Sequence, residues 1–328
     1  MTFNNNLSGM GKRASSGGSR GGGRRGGGPG FGGGNNRRGG GSNLLTMLLV
    51  SRMGRRIGIP GILIVGAILF FVNGGLGLFT QGNGSNGGSQ NSNVSSQSGG
   101  SLDHCQTPED ANNYDDCRIE GTAISLDQVW TELLPEQAGI DYVEPAITIG
   151  DGTVNTGCGT ASTAQTGPFY CPGDETVYIG DDFFAQLKQM GGSDGPFAQM
   201  YVVAHEFGHH IQNLEGTLGL SDYENPGEDS NAVKIELQAD CYGGIWAHYA
   251  DAENGGDLEP ISKDQLASAV ETAGAVGDDN IQRRSGGEVN PEAFTHGSSQ
   301  QRQEAFLAGY NSGEMAQCDT LDRGAYQS

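Results

Sequence analysis

The chain has 328 residues, of which 58 are glycine, about 18% against a usual ~7%. Glycine does not recur at every third position and only 11 prolines are present, which excludes a collagen-like rod. Ten basic residues precede residue 57 and no acid precedes Asp103; beyond 100, eight basic residues face all 39 acids, a balance of −31 that repels phosphate and excludes nucleic acid as that part's partner.

Residues 1–43 are Gly, Ser, Asn and Arg with almost nothing apolar to bury, so they are expected to be disordered, within a Gly/Arg-rich cytoplasmic tail of residues 1–56. Residues 57–79 carry no charge. At 1.5 Å per residue they reach roughly 34 Å, enough for a ~30 Å hydrocarbon layer. Arg52, Arg55 and Arg56 abut the N-terminal end of this segment. The positive-inside rule then predicts an uncleaved single-pass inner-membrane anchor, with the N-terminus cytoplasmic and the rest periplasmic. A cleaved signal peptide is the alternative. Residues 80–100 read as a flexible linker, and 101–328 as one domain.

Within that domain, Ser125 and Gln128 form a capping box ahead of a helix to about Gln137. Residues 142–149 and 176–179 read as strands, and 183–190 as a short helix. Asp194 and then Pro196 open a helix to about Leu214, stopped by Gly216. Ser230 or Asn231 opens another to about Glu253, and Ser262 with Gln265 and Ser298 with Gln301 cap two more. Strands followed by helices predict an α+β domain. All six cysteines lie beyond the anchor, as expected in an oxidising compartment. Proximity alone pairs Cys105 with Cys117, Cys158 with Cys171, and Cys241 with Cys318, one of fifteen arrangements.

The chemistry concentrates in His205-Glu206-Phe207-Gly208-His209, an H-E-x-x-H inside a predicted helix. The i, i+4 spacing puts both imidazoles on one face, able to grip one ion. Glu206, offset by about 100°, stands beside the ion and can take a proton from a water it activates. His210 should point elsewhere. A catalytic zinc site needs three protein ligands and an open position, and Glu236 on the next helix is the candidate third. Asp240, one turn further on, can accept the other N–H of a ligand histidine. Gly208, Gly243 and Gly244 would allow the two helices to approach closely. Asp278 and Asp279 read as solvent-facing, the acids between Asp222 and Asp229 as an exposed loop, and His104 and His248 as structural.

HExxH followed by ExxxD resembles the gluzincin arrangement. Cys158-Gly159-Thr160-Ala161-Ser162, the segment from Gly167 to Pro172, HEFGHHIQ, ELQADC and Phe294-Thr295-His296-Gly297-Ser298-Ser299 together resemble the bacterial putative neutral zinc metallopeptidase family over about 101–318. The resemblance implies a zincin-like fold, one Zn2+ at His205, His209 and Glu236, and Glu206 as base. His296 either donates to the oxyanion or caps the helix opened by Ser298, and Arg302 is a lesser candidate for the same donation. Residues 167–179 could offer an edge strand to an extended peptide. The expected activity is membrane-anchored endopeptidase action on a peptide or protein substrate. The alternative is a non-catalytic zinc-stabilised module that binds peptides or membrane partners. Oligomeric state is not legible.

Overall fold

The computed structural model describes residues 3–17, 102–180 and 183–326. The expected anchor at 57–79 and linker at 80–100 lie outside the described residues. Among the described residues, no helix is long and apolar enough to cross a membrane.

After the short helix α1 (Pro108–Asn113), capped by Thr107 and Asp110, the chain enters the long helix α2 (Asp115–Ala138). Ser125 therefore sits inside a helix and does not start one. It is buried, donates to Asp257 Oδ1 at 2.8 Å and accepts from Trp246 Nε1 at 2.9 Å, a tertiary role that its local cap pattern does not reveal. The predicted strand at 142–149 shortens to β2 (Ala146–Ile149). Pro145 has no N–H to donate, and the residues before it bond to side chains: Tyr142 donates to Asp127 at 2.7 Å, and Val143 O accepts from His210 at 2.6 Å.

The hairpin β3 (Thr153–Thr156) and β4 (Gly159–Ser162) follows, then a single helical turn, β5 (Phe169–Cys171) and β6 (Thr176–Ile179). With β1 (Ser15–Ser16), the main sheet has the order β1-β2-β6-β5; only β5 is antiparallel to its neighbour, and it forms an edge. The remaining helices are α3 (Phe183–Gln189), α4 (Pro196–Leu214), α5 (Asn231–Ala250), α6 (Lys263–Ala275), α7 (Asp278–Arg284) and α8 (Ser299–Ser312). Gly195, not Asp194, is the N-cap of α4; Asp194 pairs with Lys188 at 2.5 Å. The helix and sheet content makes the molecule α+β.

Helix α4 is buried from Phe197 to Gln212 without interruption, as a helix must be when it packs on α2, α5, α6 and the sheet. It meets α5 where Gly208 faces Ala239: a Cβ at 208 would fall 2.9 Å from the Ala239 Cα. Gly244, expected at the same crossing, serves a different one, because its missing Cβ makes room for the Phe306 carbonyl of α8. Three disulfides link Cys105–Cys117, Cys158–Cys171 and Cys241–Cys318. Residues 3–17 depart from the expected disorder. They pack on the domain, with Phe3, Leu7 and Met10 buried.

Candidate metal centre

Helix α4 supplies His205, Glu206 and His209, and α5 supplies Glu236 and Asp240; all five are buried. His205 Nδ1 donates to Asp240 Oδ1 at 2.8 Å, and His209 Nδ1 donates to Gln212 Oε1 at 2.9 Å. These bonds turn each Nε2 toward Glu236, at 3.3 Å from Oε2 for His205 and 3.7 Å from Oε1 for His209. In the metal-free protein burial opposes charge on His205, but Asp240 and Glu236 prevail and raise its pKa to about 10, so its Nε2 holds a proton that a metal ion would displace. Three donors placed tetrahedrally at ~2.1 Å around one ion stand about 3.4 Å apart. The spacing therefore fits zinc, and so does the orphaned state of His209 Nε2, which is buried without a hydrogen bond.

Asp240 collects cations and donors. Arg302 Nε and Nη2 reach its two oxygens at 2.7 and 2.9 Å, and Tyr201 donates its hydroxyl at 2.5 Å. Burial disfavours the Asp240 carboxylate, but Arg302 and His205 outweigh it and hold its pKa well below the usual range. Gln212 in turn donates to Ile235 O at 2.7 Å, tying the His209 side of the site to α5.

Burial likewise opposes ionisation of Glu236, yet the two imidazoles hold its pKa down at about 2. Glu206 moves the other way, to about 7. Burial dominates there, the His205 imidazole opposes the rise and the Glu236 charge adds to it. Glu206 Oε2 is buried without a hydrogen-bond partner, beside the metal donors. His209 is pushed down to about 4 by burial, the neutral form that ligation requires.

His296 joins this centre from the loop before α8. It lines a small cavity with His205, Glu206 and Glu236 whose volume is about 30 Å³, room for one water-sized group. Asp278 is not solvent-facing as expected. It is buried, and its Oδ2 accepts the backbone N–H of Thr295, His296 and Gly297 while Oδ1 stands 3.2 Å from His296 Nδ1. Asp279 similarly holds Ser299 at 2.7 Å. The acid pair at the start of α7 thus clasps the His296 loop.

A family model described as putative neutral zinc metallopeptidase matches residues 10–321. The chain belongs to the putative neutral zinc metallopeptidase family. The uncharacterized protein Rv2575 of Mycobacterium tuberculosis is 48% identical over 226 residues, covering 67% of this chain and 75% of that protein. The uncharacterized protein YpfJ of Escherichia coli is 42% identical over 193 residues, covering 57% of this chain and 65% of that protein. No solved structure matches the chain.

In this family member, His210 turns away from the centre, as its angle on the helix predicts; burial keeps it near 4, and it lies between Tyr170 and Val143. His248 bonds Tyr310 O, and Arg302 serves Asp240 in addition to lining the cavity. Gln212 and Tyr201 on α4 serve the site unmarked by the sequence reading, as do two residues outside that helix. Asp278 is one. Tyr223 is the other, from the acidic loop between the motifs, with its hydroxyl 3.4 Å from Glu236 Oε1. Nothing in local sequence marks either, because both reach the site across a turn.

Zinc should stabilise this metallopeptidase-family chain strongly, since it binds groups that only the folded state assembles. At free zinc a thousandfold above Kd the gain is about 4 kcal/mol, a rise of roughly 8–16 °C in thermal midpoint for a domain of this size. Thermal unfolding of chelator-treated protein with and without zinc measures it, and Glu236→Ala should remove most of the rise.

Proposed function

We propose that the chain is a zinc-dependent endopeptidase with a zincin-like, gluzincin-type site, acting on peptide or protein substrates outside the cytoplasm. The observation carrying this reading is Glu206: a buried carboxyl, raised to about 7 and lacking a partner for one oxygen, beside three converging metal donors. A purely structural zinc site has no use for such a group. The three disulfides support an oxidising compartment.

His205, His209 and Glu236 would hold the ion, which when bound supplies Lewis acidity to the scissile carbonyl and to a water. Glu206 receives the proton of the attacking water and returns it to the leaving amine. The backbone N–H of Tyr170 favours the charged form of Glu206. His296 lines the cavity and donates to the carbonyl oxygen as negative charge builds there. Asp240 keeps His205 in its tautomer, and Asp278 accepts from His296 Nδ1 and supports the charged ring, whose Nε2–H can then donate. β5, the last strand of the described sheet, would offer backbone groups to an extended substrate.

The deciding experiment loads metal-free protein with zinc and follows cleavage of casein or a peptide library. One zinc per chain with restored hydrolysis supports the enzyme; one zinc per chain without hydrolysis establishes the non-catalytic module instead.

The His296 role carries its own pH signature. Burial opposes its charge, but the Asp278 bond and charge prevail and raise its pKa above the usual 6.5. Activity that depends on the charged ring is complete well below the raised pKa and falls as pH climbs through it. Asp278→Asn removes the supporting charge, so the alkaline limb of the kcat profile should move to lower pH. An unmoved limb would assign His296 a structural role.

A further inference from the structure

The domain carries a groove built for residues 3–17, and we infer that this N-terminal segment and the domain occupy the same compartment, docked together in the cell. The inference is independent of the zinc reading. The sequence places the two on opposite faces of a membrane, with the basic tail inside and the domain outside. In the structure the segment is an integral part of the folded unit.

The fit is specific along its length. Phe3 bridges Leu258 in antiparallel fashion and exchanges hydrogen bonds with the Asn112 side chain, at 2.7 and 3.2 Å. Its ring occupies the space left by Gly121 in the second turn of α2, where a Cβ would stand 3.0 Å from it. Glycine weakens a helix interior, so Gly121 has its explanation in the ring it admits. Asn4 donates to Gly256 O and Leu258 O, at 3.0 and 3.2 Å.

Arg13 provides the charge. Its Nε lies 2.5 Å from Asp127 Oδ2, its Nη2 donates to Pro145 O at 2.7 Å, and its backbone N–H donates to the buried Glu120 at 2.8 Å. Glu120 and Asp127 are seven residues apart, on one face of α2. Without the segment, Asp127 would lose its cation while keeping the Tyr142 hydroxyl, and Glu120 would lose the N–H groups of Arg13 and Ala14. Beyond Arg13, Ser15 and Ser16 pair with Thr148 and Ile149 as the first strand of the sheet, and Gly17 donates to Ile149 O at 2.6 Å. Apolar burial, charge pairing and strand register all select the same fifteen residues. A segment sequestered across a bilayer could make none of these contacts.

The test uses the full-length chain in intact cells. Ser15 and Thr148 have side-chain oxygens 3.3 Å apart, so Ser15→Cys with Thr148→Cys should form a disulfide under mild oxidation. Trypsin then cuts at the arginines between 20 and 56, and an N-terminal tag should stay with the domain until reductant is added, in the double variant alone. A link between two copies upholds the shared compartment equally. Absence of any link overturns the docking. Labelling of the single Ser15→Cys and Thr148→Cys variants from opposite sides, by a maleimide that cannot cross membranes, overturns the shared compartment.

Discussion

Glu206→Gln should abolish peptide hydrolysis, by 10²–10⁴-fold or more, while zinc content stays at wild-type stoichiometry. The range is what a positioned general base contributes, and the amide keeps the shape and leaves His205, His209 and Glu236 in place. A second effect separates this variant from a damaged one. In the metal-free protein the pKa of Glu206 is raised from 4.5 to about 7, so the folded state holds a proton that the unfolded chain releases between those values. Stability contributed by this group is present at low pH and lost as pH rises through that window. The loss is on the order of 3 kcal/mol for a shift of this size. Glutamine has no proton to lose, so metal-free Glu206→Gln should unfold at higher temperature than wild type above pH 7. Measurable hydrolysis by zinc-loaded Glu206→Gln would remove Glu206 from the mechanism.

The largest stability effect is expected at Asp240. Asp240→Ala strands the Arg302 guanidinium, the Tyr201 hydroxyl and the His205 Nδ1–H in a buried site without their common acceptor. Breaking a buried charge pair from one side costs about 3–5 kcal/mol, roughly 6–20 °C in thermal midpoint for a domain of this size. Removing both charges, as Asp240→Leu with Arg302→Leu, should return much of that stability, because apolar groups can replace a buried ion pair. Zinc affinity should not return with it. His205 then has nothing to set its tautomer, and the loss of such a support costs about 10–100-fold in metal affinity. A double variant that binds zinc as tightly as wild type would show that His205 needs no orienting partner.

Much of the site was legible because it is written in helical spacing. His205 and His209 face one way by periodicity alone, as do Glu236 and Asp240, and Gly208 marks the crossing that brings the two pairs together. The caps at Ser262 and Ser298 are local events and fall where the sequence puts them. Ser125 shows the limit of such signals. Its pattern matches a cap, yet α2 already runs past it and its hydroxyl serves Asp257. Gly244 makes the same point, since a glycine announces a close approach without naming the partner.

The N-terminal residues misled for a physical reason. Composition sees few apolar side chains in a polar tail, whereas Phe3 and Arg13 each meet a complement more than 100 residues away and Leu7 and Met10 are buried with them. Asp278 and Tyr223 escaped notice likewise, an acid and a tyrosine among polar neighbours.

The sequence by itself pointed to the kind of chemistry: a metal-binding motif, a candidate base and a candidate third ligand, set by spacings that a helix converts directly into geometry. Tertiary structure decided which groups surround that chemistry. It put Arg302 on Asp240, Asp278 on His296 and the N-terminal segment on α2, because burial, charge pairing and strand register depend on partners that only the folded chain brings within reach.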